Sequence, residues 1–261
     1  MKLSRLFVQD TKQKTPPILA VFNLLLVVCA IVAVFWFALS RIGVQFNFSF
    51  LANFSKRIRM GFGTTVAISL ASMVVSLAIG ILGALGQGSK LLPIRYFSTL
   101  YVQFIRGTPL MMQIYLFFYI IGTAFGVENR FIAGVLTLSM FEGAYISEII
   151  RGSLLSLDES QLEAAKAVGF TNKQTIAHVI LPQLVARTLP ALTGQFASII
   201  KDSSLLSMIA VSELAQTMRE ISSTNFKLFE CFIFLGVLYL ALTIPVSLAS
   251  KWLEKRFDYD R

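Results

Sequence analysis

Charged residues are scarce in this sequence: they make up 14% of its 261 residues, whereas hydrophobic residues make up 56%. A soluble domain carries about 25% charged residues, so the chain lacks the polar surface that a water-soluble globule needs. Charge is also absent from four runs, each roughly 20 residues or more in length and able to cross a hydrocarbon core of about 30 Å. These runs are 18–40, 60–89, 107–127 and 231–250. We therefore predict an all-α integral membrane protein.

Histidine and cysteine are nearly absent as well. The single histidine, His178, has no metal-ligand spacing around it and no nucleophilic partner, so we expect a surface residue, no metal site and no catalytic site. Cys29 and Cys231 lie in separate apolar runs and are interpreted as small apolar residues. The net charge of +9 is not arranged as a basic stripe with exposed aromatics, which argues against nucleic-acid binding.

Six membrane spans fit the pattern of apolar runs best: 18–40, 62–87, 100–125, 131–150, 184–211 and 230–250. The third is the weakest, because Arg106 near its start is followed by Gly107 and Pro109. We expect the helix to break there, with residues 91–106 running along the membrane interface.

Orientation follows from the basic residues in the short loops, because cytoplasmic loops are enriched in Lys and Arg. The side that holds the N-terminus carries about twice as many of them as the other side. This predicts a multi-pass protein with cytoplasmic tails at 1–17 and 251–261, the run 18–40 being an uncleaved anchor. The basic cluster at 56–59 is an exception to this arrangement.

The largest polar connection, 151–183, contains two capping-box patterns, Ser160-x-x-Glu163 and Thr171-x-x-Gln174. Gly169 can supply a left-handed stop after the first helix, and Pro182 can end the second. We therefore predict two short helices, 161–168 and 172–181, joined by a glycine turn. Helices this short need a partner surface to be stable.

The same loop carries a motif. Glu163-Ala164-Ala165, then Gly169, Val179 and Leu181-Pro182, resembles the EAA loop of the permease subunits of ATP-binding cassette importers, with Val179 where isoleucine is usual. The flanking segments 105–110, 143–145, 148–152, 189–190 and 201–205 resemble the polar amino acid branch, of the histidine, glutamine and arginine type. The resemblance covers residues 60–250 and implies a five-helix permease core, to which the span 18–40 is an addition.

This resemblance implies a subunit without a catalytic site or cofactor of its own. ATP and Mg²⁺ would be used by two cytoplasmic ATPase subunits, and two permease subunits, identical or paralogous, would form the path. An extracytoplasmic binding protein would deliver the amino acid, in the plasma (inner) membrane of a prokaryote. The residues expected to couple the permease to the ATPase are Glu163, which caps and orients the helix, Ala164 and Ala165, which permit close docking, Gly169, Leu181 and Pro182.

Charges within the spans need a partner or a task, since each costs about 2.5 to 3.5 kcal/mol at mid-membrane. Glu148 can pair with Arg151 three residues later. The candidate substrate path consists of Glu142, Tyr145, Lys201, Asp202 and Ser203. Glu142, with Tyr145 one turn later, could hold the ammonium group of an amino acid. The alternative is a buried carboxylate bonded to a neighbouring helix.

These residues are also compatible with other classes of membrane protein. In a gradient-driven secondary transporter or channel, Glu142, Lys201 and Asp202 would form a relay or ion site. In a membrane anchor or sensor they would have no role in transport.

Overall fold

The computed structural model of the chain describes residues 16–43 and 46–256, apart from the side chains of Ile42 and Glu254. The predicted tails fall largely outside this range. The chain divides into two compact units, Met1–Phe48 and Ser49–Arg261. The described residues are helical or irregular, without strands, and contain five helices able to span a membrane and one bent pair. This confirms the predicted all-α class.

The first unit contains helix α1, Pro17–Ile42. A proline is tolerated at a first helical position because its missing N–H would be unpaired there, and Gly43 ends the helix in the left-handed conformation, with φ 68°. Side chains on every side of α1 are exposed, among them Leu24, Val34 and Trp36. A helix that is apolar all round requires an apolar environment, and α1 coincides with the predicted first span.

The second unit is built around helices α2, Ser55–Gln87, and α5, Arg130–Leu155. The two helices approach closely because glycines face the contact. A Cβ placed on Gly80 would lie 2.3 Å from Cγ2 of Ile146, and one on Gly143 would lie 2.7 Å from Cγ2 of Ile79. Close approach through small residues is a common way to hold membrane helices together, since lipid removes the hydrophobic drive between them.

Between these helices the chain forms α3, Leu92–Gly107, and α4, Leu110–Tyr115, which continues as a π-helical segment, Leu116–Gly122. The two are bent by 114°. The Gln113 side chain compensates for the break, because its Nε2 donates to the Ile105 carbonyl at 2.8 Å and to Thr108 Oγ1 at 2.8 Å. The predicted break at Gly107 and Pro109 is confirmed.

Beyond α5 lie α6, Glu159–Ala167, and α7, Asn172–Thr175. A π-helical segment, Ile176–Ile180, leads into α8, Leu181–Asp202, and a 3₁₀ turn, Ser203–Ile209, follows. The last helices are α9, Leu214–Asn225, and α10, Leu228–Arg256.

Helix α9 lies between the predicted spans 184–211 and 230–250, where no helix was predicted, and it is packed into the bundle. Leu214, Met218 and Ile221 are fully buried and pack in one core with Leu51 and Ile58. Their spacing of four and three residues places them on one helical face. A polar opposite face kept this segment below the hydrophobicity of a span, which is why the run pattern did not reveal it.

Candidate functional site

Helices α6 and α7 form a hairpin whose first helix is capped by Asp158. Its carboxylate accepts the backbone N–H of Ser160 at 3.0 Å, and this hydrogen bond lowers the pKa of Asp158. The predicted cap, Ser160 with Glu163, is therefore wrong: α6 begins at Glu159, two residues earlier than expected, and Ser160 lies inside it. An aspartate cap also places a negative charge at the positive end of the helix.

The turn after α6 is the predicted glycine turn. Gly169 has φ 81°, a left-handed conformation that favours glycine. Its N–H donates to the Lys166 carbonyl at 3.0 Å, and the Phe170 N–H donates to the Ala165 carbonyl at 3.0 Å. This pair of bonds satisfies carbonyl groups at the helix end.

The second helix begins with the predicted capping box. Thr171 Oγ1 accepts from the Gln174 N–H, and Gln174 Oε1 accepts from the Thr171 N–H at 2.8 Å. Its predicted end at Pro182 is wrong, because the helix continues into α8. The N–H of Leu181 donates to the Ile176 carbonyl, five residues back. This wider π-helical turn shifts the hydrogen-bond pattern just before Pro182, which has no N–H to donate.

Two side chains of α8 contact earlier residues: Arg187 reaches the end of α5, and Gln183 reaches α6. The Arg187 guanidinium donates to the Ser156 carbonyl and to Ser156 Oγ, the latter at 2.7 Å. The Gln183 amide donates to Gln161 Oε1 and to the Val179 carbonyl. Gln183 therefore fastens α6 to α8, and Arg187 fastens the end of α5 to α8.

The predicted coupling residues divide into two groups by exposure. Glu163, Ala164, Gly169, Leu181 and Pro182 are exposed, whereas Ala165 is buried within the chain, with 4% exposed. Ala164 therefore lies on the surface of the chain, and Ala165 packs inside. His178 is exposed, as expected, and its ring lies 6.2 Å from that of Phe170.

Within the membrane bundle, Glu142 of α5 and Asp202 of α8 are brought together. Glu142 is fully buried and its Oε2 accepts from Gln195 Nε2. Its carboxyl group also interacts with that of Asp202. Among the described residues Glu142 Oε1 has no donor. Two neighbouring carboxyl groups repel each other when both are ionised, so a proton or a cation shared between them would stabilise the pair.

The other residues of the candidate path make contacts of their own. Tyr145 packs on Phe141, with ring centroids 5.1 Å apart, and the Arg106 guanidinium lies 5.4 Å from the Tyr145 ring centre. Lys201 is exposed. Ser203 is buried, and its hydroxyl donates to the Ile200 carbonyl of its own helix at 2.8 Å. The structure thus joins Glu142 to Asp202, and Tyr145 to a cation instead of to Glu142.

Glu148 lies nearer the hairpin end of α5 and pairs with two arginines. Arg151 Nε donates to Glu148 Oε1 at 2.8 Å and Arg151 Nη2 donates to Oε2 at 2.9 Å, which confirms the predicted pair. Arg106 Nη1 lies 3.2 Å from Glu148 Oε2. This second bridge links α3 to α5 beside the break in the third span.

Sequence reasoning missed Gln195 and the second partner of Glu148. A signal for Gln195 existed, because it precedes Asp202 by seven residues and therefore shares its helical face. No such signal pointed to Arg106, which lies on another helix, α3, and is far from Glu148 in sequence.

These features define a helical membrane subunit that carries a hairpin fastened to one of its spans. The family model described as the binding-protein-dependent transport system inner membrane component matches residues 76–259. The chain belongs to this family.

Relatives and solved structures agree with this assignment. The probable glutamine ABC transporter permease protein GlnM of Bacillus subtilis is 34% identical over 198 residues, which cover 76% of this chain and 92% of the relative. The L-cystine transport system permease protein TcyB of the same organism is 36% identical over 196 residues, covering 74% and 83%. A solved amino acid ABC transporter with histidines has a TM-score of 0.76 and 29% identity, covering 82% of this chain and 100% of that one.

Family membership confirms the importer permease predicted from the EAA motif. The chain is a transport component of a bacterial membrane, ATP is hydrolysed in a separate subunit, and the complex contains ATPase and permease partners.

Proposed function

We propose that this chain is the part of an ATP-driven importer through which polar amino acids, such as glutamine or cystine, cross the membrane. The observation that carries this proposal is the agreement of relatives named for glutamine and L-cystine transport, one of which is matched over 92% of its length.

The proposed assembly has two permease subunits, identical or paralogous, two ATPase subunits that use ATP and Mg²⁺, and an extracytoplasmic binding protein. The hairpin end of the bundle faces the cytosol, and so do both termini. The permease domain is residues 60–250, with the coupling loop at 151–183 and an added helix at 18–40. Support comes from the exposed, mostly polar surface of the hairpin, which is unlike the apolar exposure of the spans.

Coupling in this proposal runs along a continuous helical path. The hairpin docks on the ATPase through the surface around Ala164. Gln183 fastens α6 to α8, and Arg187 fastens α8 to the end of α5, just before the hairpin. Helix α8 carries Gln195 and Asp202 at the level of Glu142. When ATP closes the ATPase dimer, the hairpin moves, α8 tilts, and the contact between Asp202 and Glu142 changes.

The acidic pair is the proposed point at which the path recognises its cargo. An amino acid carries an ammonium group, which donates three hydrogen bonds and can replace the proton between two carboxyl groups. The pair would be closed in this conformation and would open when α8 moves. Tyr145, Lys201 and Ser203 keep a proposed role as path residues nearby, and Lys201 offers a cation for the α-carboxylate.

Uptake by the reconstituted transporter tests both the proposed import of amino acids and the proposed role of Glu142. Proteoliposomes that contain the permease, ATPase and binding protein should accumulate radiolabelled glutamine or cystine only with ATP inside. Uptake driven by an ion gradient without the ATPase would instead identify a secondary transporter. Glu142→Gln keeps the shape and an acceptor oxygen, so it should lower the maximal rate while binding-protein affinity is unchanged. Equal rates would remove Glu142 from the path.

A further inference from the structure

A cavity of about 540 Å³ lies at the hairpin end of the bundle, away from the acidic pair. It is bounded by the end of α2, by α3 and by the end of α5. Its polar lining consists of Gln87, Arg95, Tyr96, Thr99, Gln103, Arg106, Glu148 and Arg151. Three arginines against one glutamate leave a surplus of positive charge.

The single carboxylate is already engaged. Glu148 bridges both Arg106 and Arg151, and its side chain is only 20% exposed. Arg95 lies 5.8 Å from the ring centre of Tyr96. Because one negative charge is shared between two of the three cations, the cavity favours an anion that can accept hydrogen bonds from more than one arginine.

Helix α3 has a basic polar face towards the cavity and an apolar face on its other side. Arg95, Thr99 and Arg106 recur at helical spacing on the face that lines the cavity. The opposite, outward face carries apolar side chains that are between 47% and 75% exposed, namely Ile94, Phe97, Leu100 and Phe104. A helix with a basic polar face and an exposed apolar face is typical of the membrane interface.

We propose that this cavity binds a phosphate group, and that its source is the headgroup of an anionic phospholipid. The phosphodiester would lie between Arg95 and Arg106, with hydroxyl groups of the headgroup near Thr99 and Gln103. The acyl chains would leave the cavity beside Tyr96, which lies between the two faces of α3, and reach the apolar face from there. Pockets between membrane helices that combine basic residues with an adjoining apolar surface suit anionic lipid headgroups.

This site goes beyond the proposed transport function, because it does not depend on which amino acid is carried. A lipid bound there would act beside the bend between α3 and α4, because Arg106 lies at the end of α3 and also forms an ion pair with Glu148 of α5. Anionic lipid bound there would hold α3 against α5 by supplying the negative charge that Glu148 alone cannot provide.

Native mass spectrometry of the assembled, delipidated transporter tests the site. Phosphatidylglycerol is added, with phosphatidylcholine as the neutral comparison, and retained lipid is counted. Arg95→Gln should weaken phosphatidylglycerol retention about fivefold, the effect of one basic residue near an anionic lipid. The matched control, Arg130→Gln, removes an exposed arginine at the opposite end of α5 and should have no effect. Arg95→Lys keeps the charge and should retain most binding, which separates a charge requirement from a folding defect.

Thermal shifts distinguish the source of the phosphate. Phosphatidylglycerol should raise the melting temperature of the unsubstituted transporter and raise it less in Arg95→Gln, whereas inorganic phosphate should do neither. Equal stabilisation by inorganic phosphate would contradict a lipid source. The lipid site would be overturned if Arg95→Gln and Arg130→Gln lost phosphatidylglycerol equally, or if neither lost any. It would also be overturned if free glutamate stabilised the unsubstituted transporter but not Arg95→Gln.

Discussion

The packing of α2 against α5 makes a quantitative prediction at Gly80. A Cβ at this position would lie 2.3 Å from Cγ2 and 2.7 Å from Cβ of Ile146, which is fully buried and cannot move aside. On Gly63, in the same helix, a Cβ would meet nothing within 4 Å. Both Gly→Ala changes gain the same helix propensity, about 1 kcal/mol. Their difference therefore isolates the overpacking cost, about 1 to 3 kcal/mol.

The assay is thermal unfolding of the detergent-solubilised permease. At about 3 °C per kcal/mol for a chain of this size, Gly80→Ala should melt about 3 to 9 °C below Gly63→Ala. Adding Ile146→Ala to Gly80→Ala removes the nearest methyl group, so the two changes should cost less together than the sum of their separate effects. If Gly80→Ala melts at or above the temperature of Gly63→Ala, the close packing of α2 on α5 is refuted.

Three further predictions concern buried polar groups and the hairpin. Burial raises the pKa of Glu213 to about 7, so the folded state binds a proton more tightly than the unfolded state. The free energy of unfolding should therefore fall by up to about 3 kcal/mol as pH rises from about 4.5 to 7. Glu213→Gln should flatten this dependence of the melting temperature on pH, and an unchanged slope would mean that another group causes it. Gln195→Leu removes the donor to Glu142 and should cost about 1 to 3 kcal/mol in unfolding measurements, while a neutral result would mean that the amide is dispensable. Arg187→Ala breaks the contact with Ser156 and should lower uptake per ATP hydrolysed while leaving ATPase binding intact; an unchanged ratio would exclude this contact from coupling.

Local patterns in the sequence predicted the features that local chemistry controls. The capping box of Thr171 and Gln174, the left-handed turn at Gly169 and the helix break at Pro109 each depend on a few adjacent residues. The EAA spacing predicted the family because it fixes several residue types at fixed offsets.

Features that depend on tertiary contacts could not be predicted in this way. Asp158 caps α6 in place of Ser160; both residue types can accept an amide hydrogen bond, so the sequence alone did not select between them. The meeting of Glu142 with Gln195 joins residues far apart in sequence. Pro182 continued a helix because a π-helical segment precedes it, and a π-helical turn leaves no simple pattern in the sequence.

Crosslinking from the hairpin tests the central claim most directly. Cysteine is introduced at exposed Ala164 in a chain whose native Cys29 and Cys231 are replaced by serine, with Ser223→Cys, exposed at the opposite end, as the control. In the assembled transporter, a short reagent with a thiol-reactive end and a photoreactive end should join Ala164→Cys to the ATPase subunit. The yield should change when ATP is added, and Ser223→Cys should stay unlinked to the ATPase. An Ala164→Cys variant that folds and transports but never links to the ATPase would contradict the claim that this hairpin docks on the motor subunit.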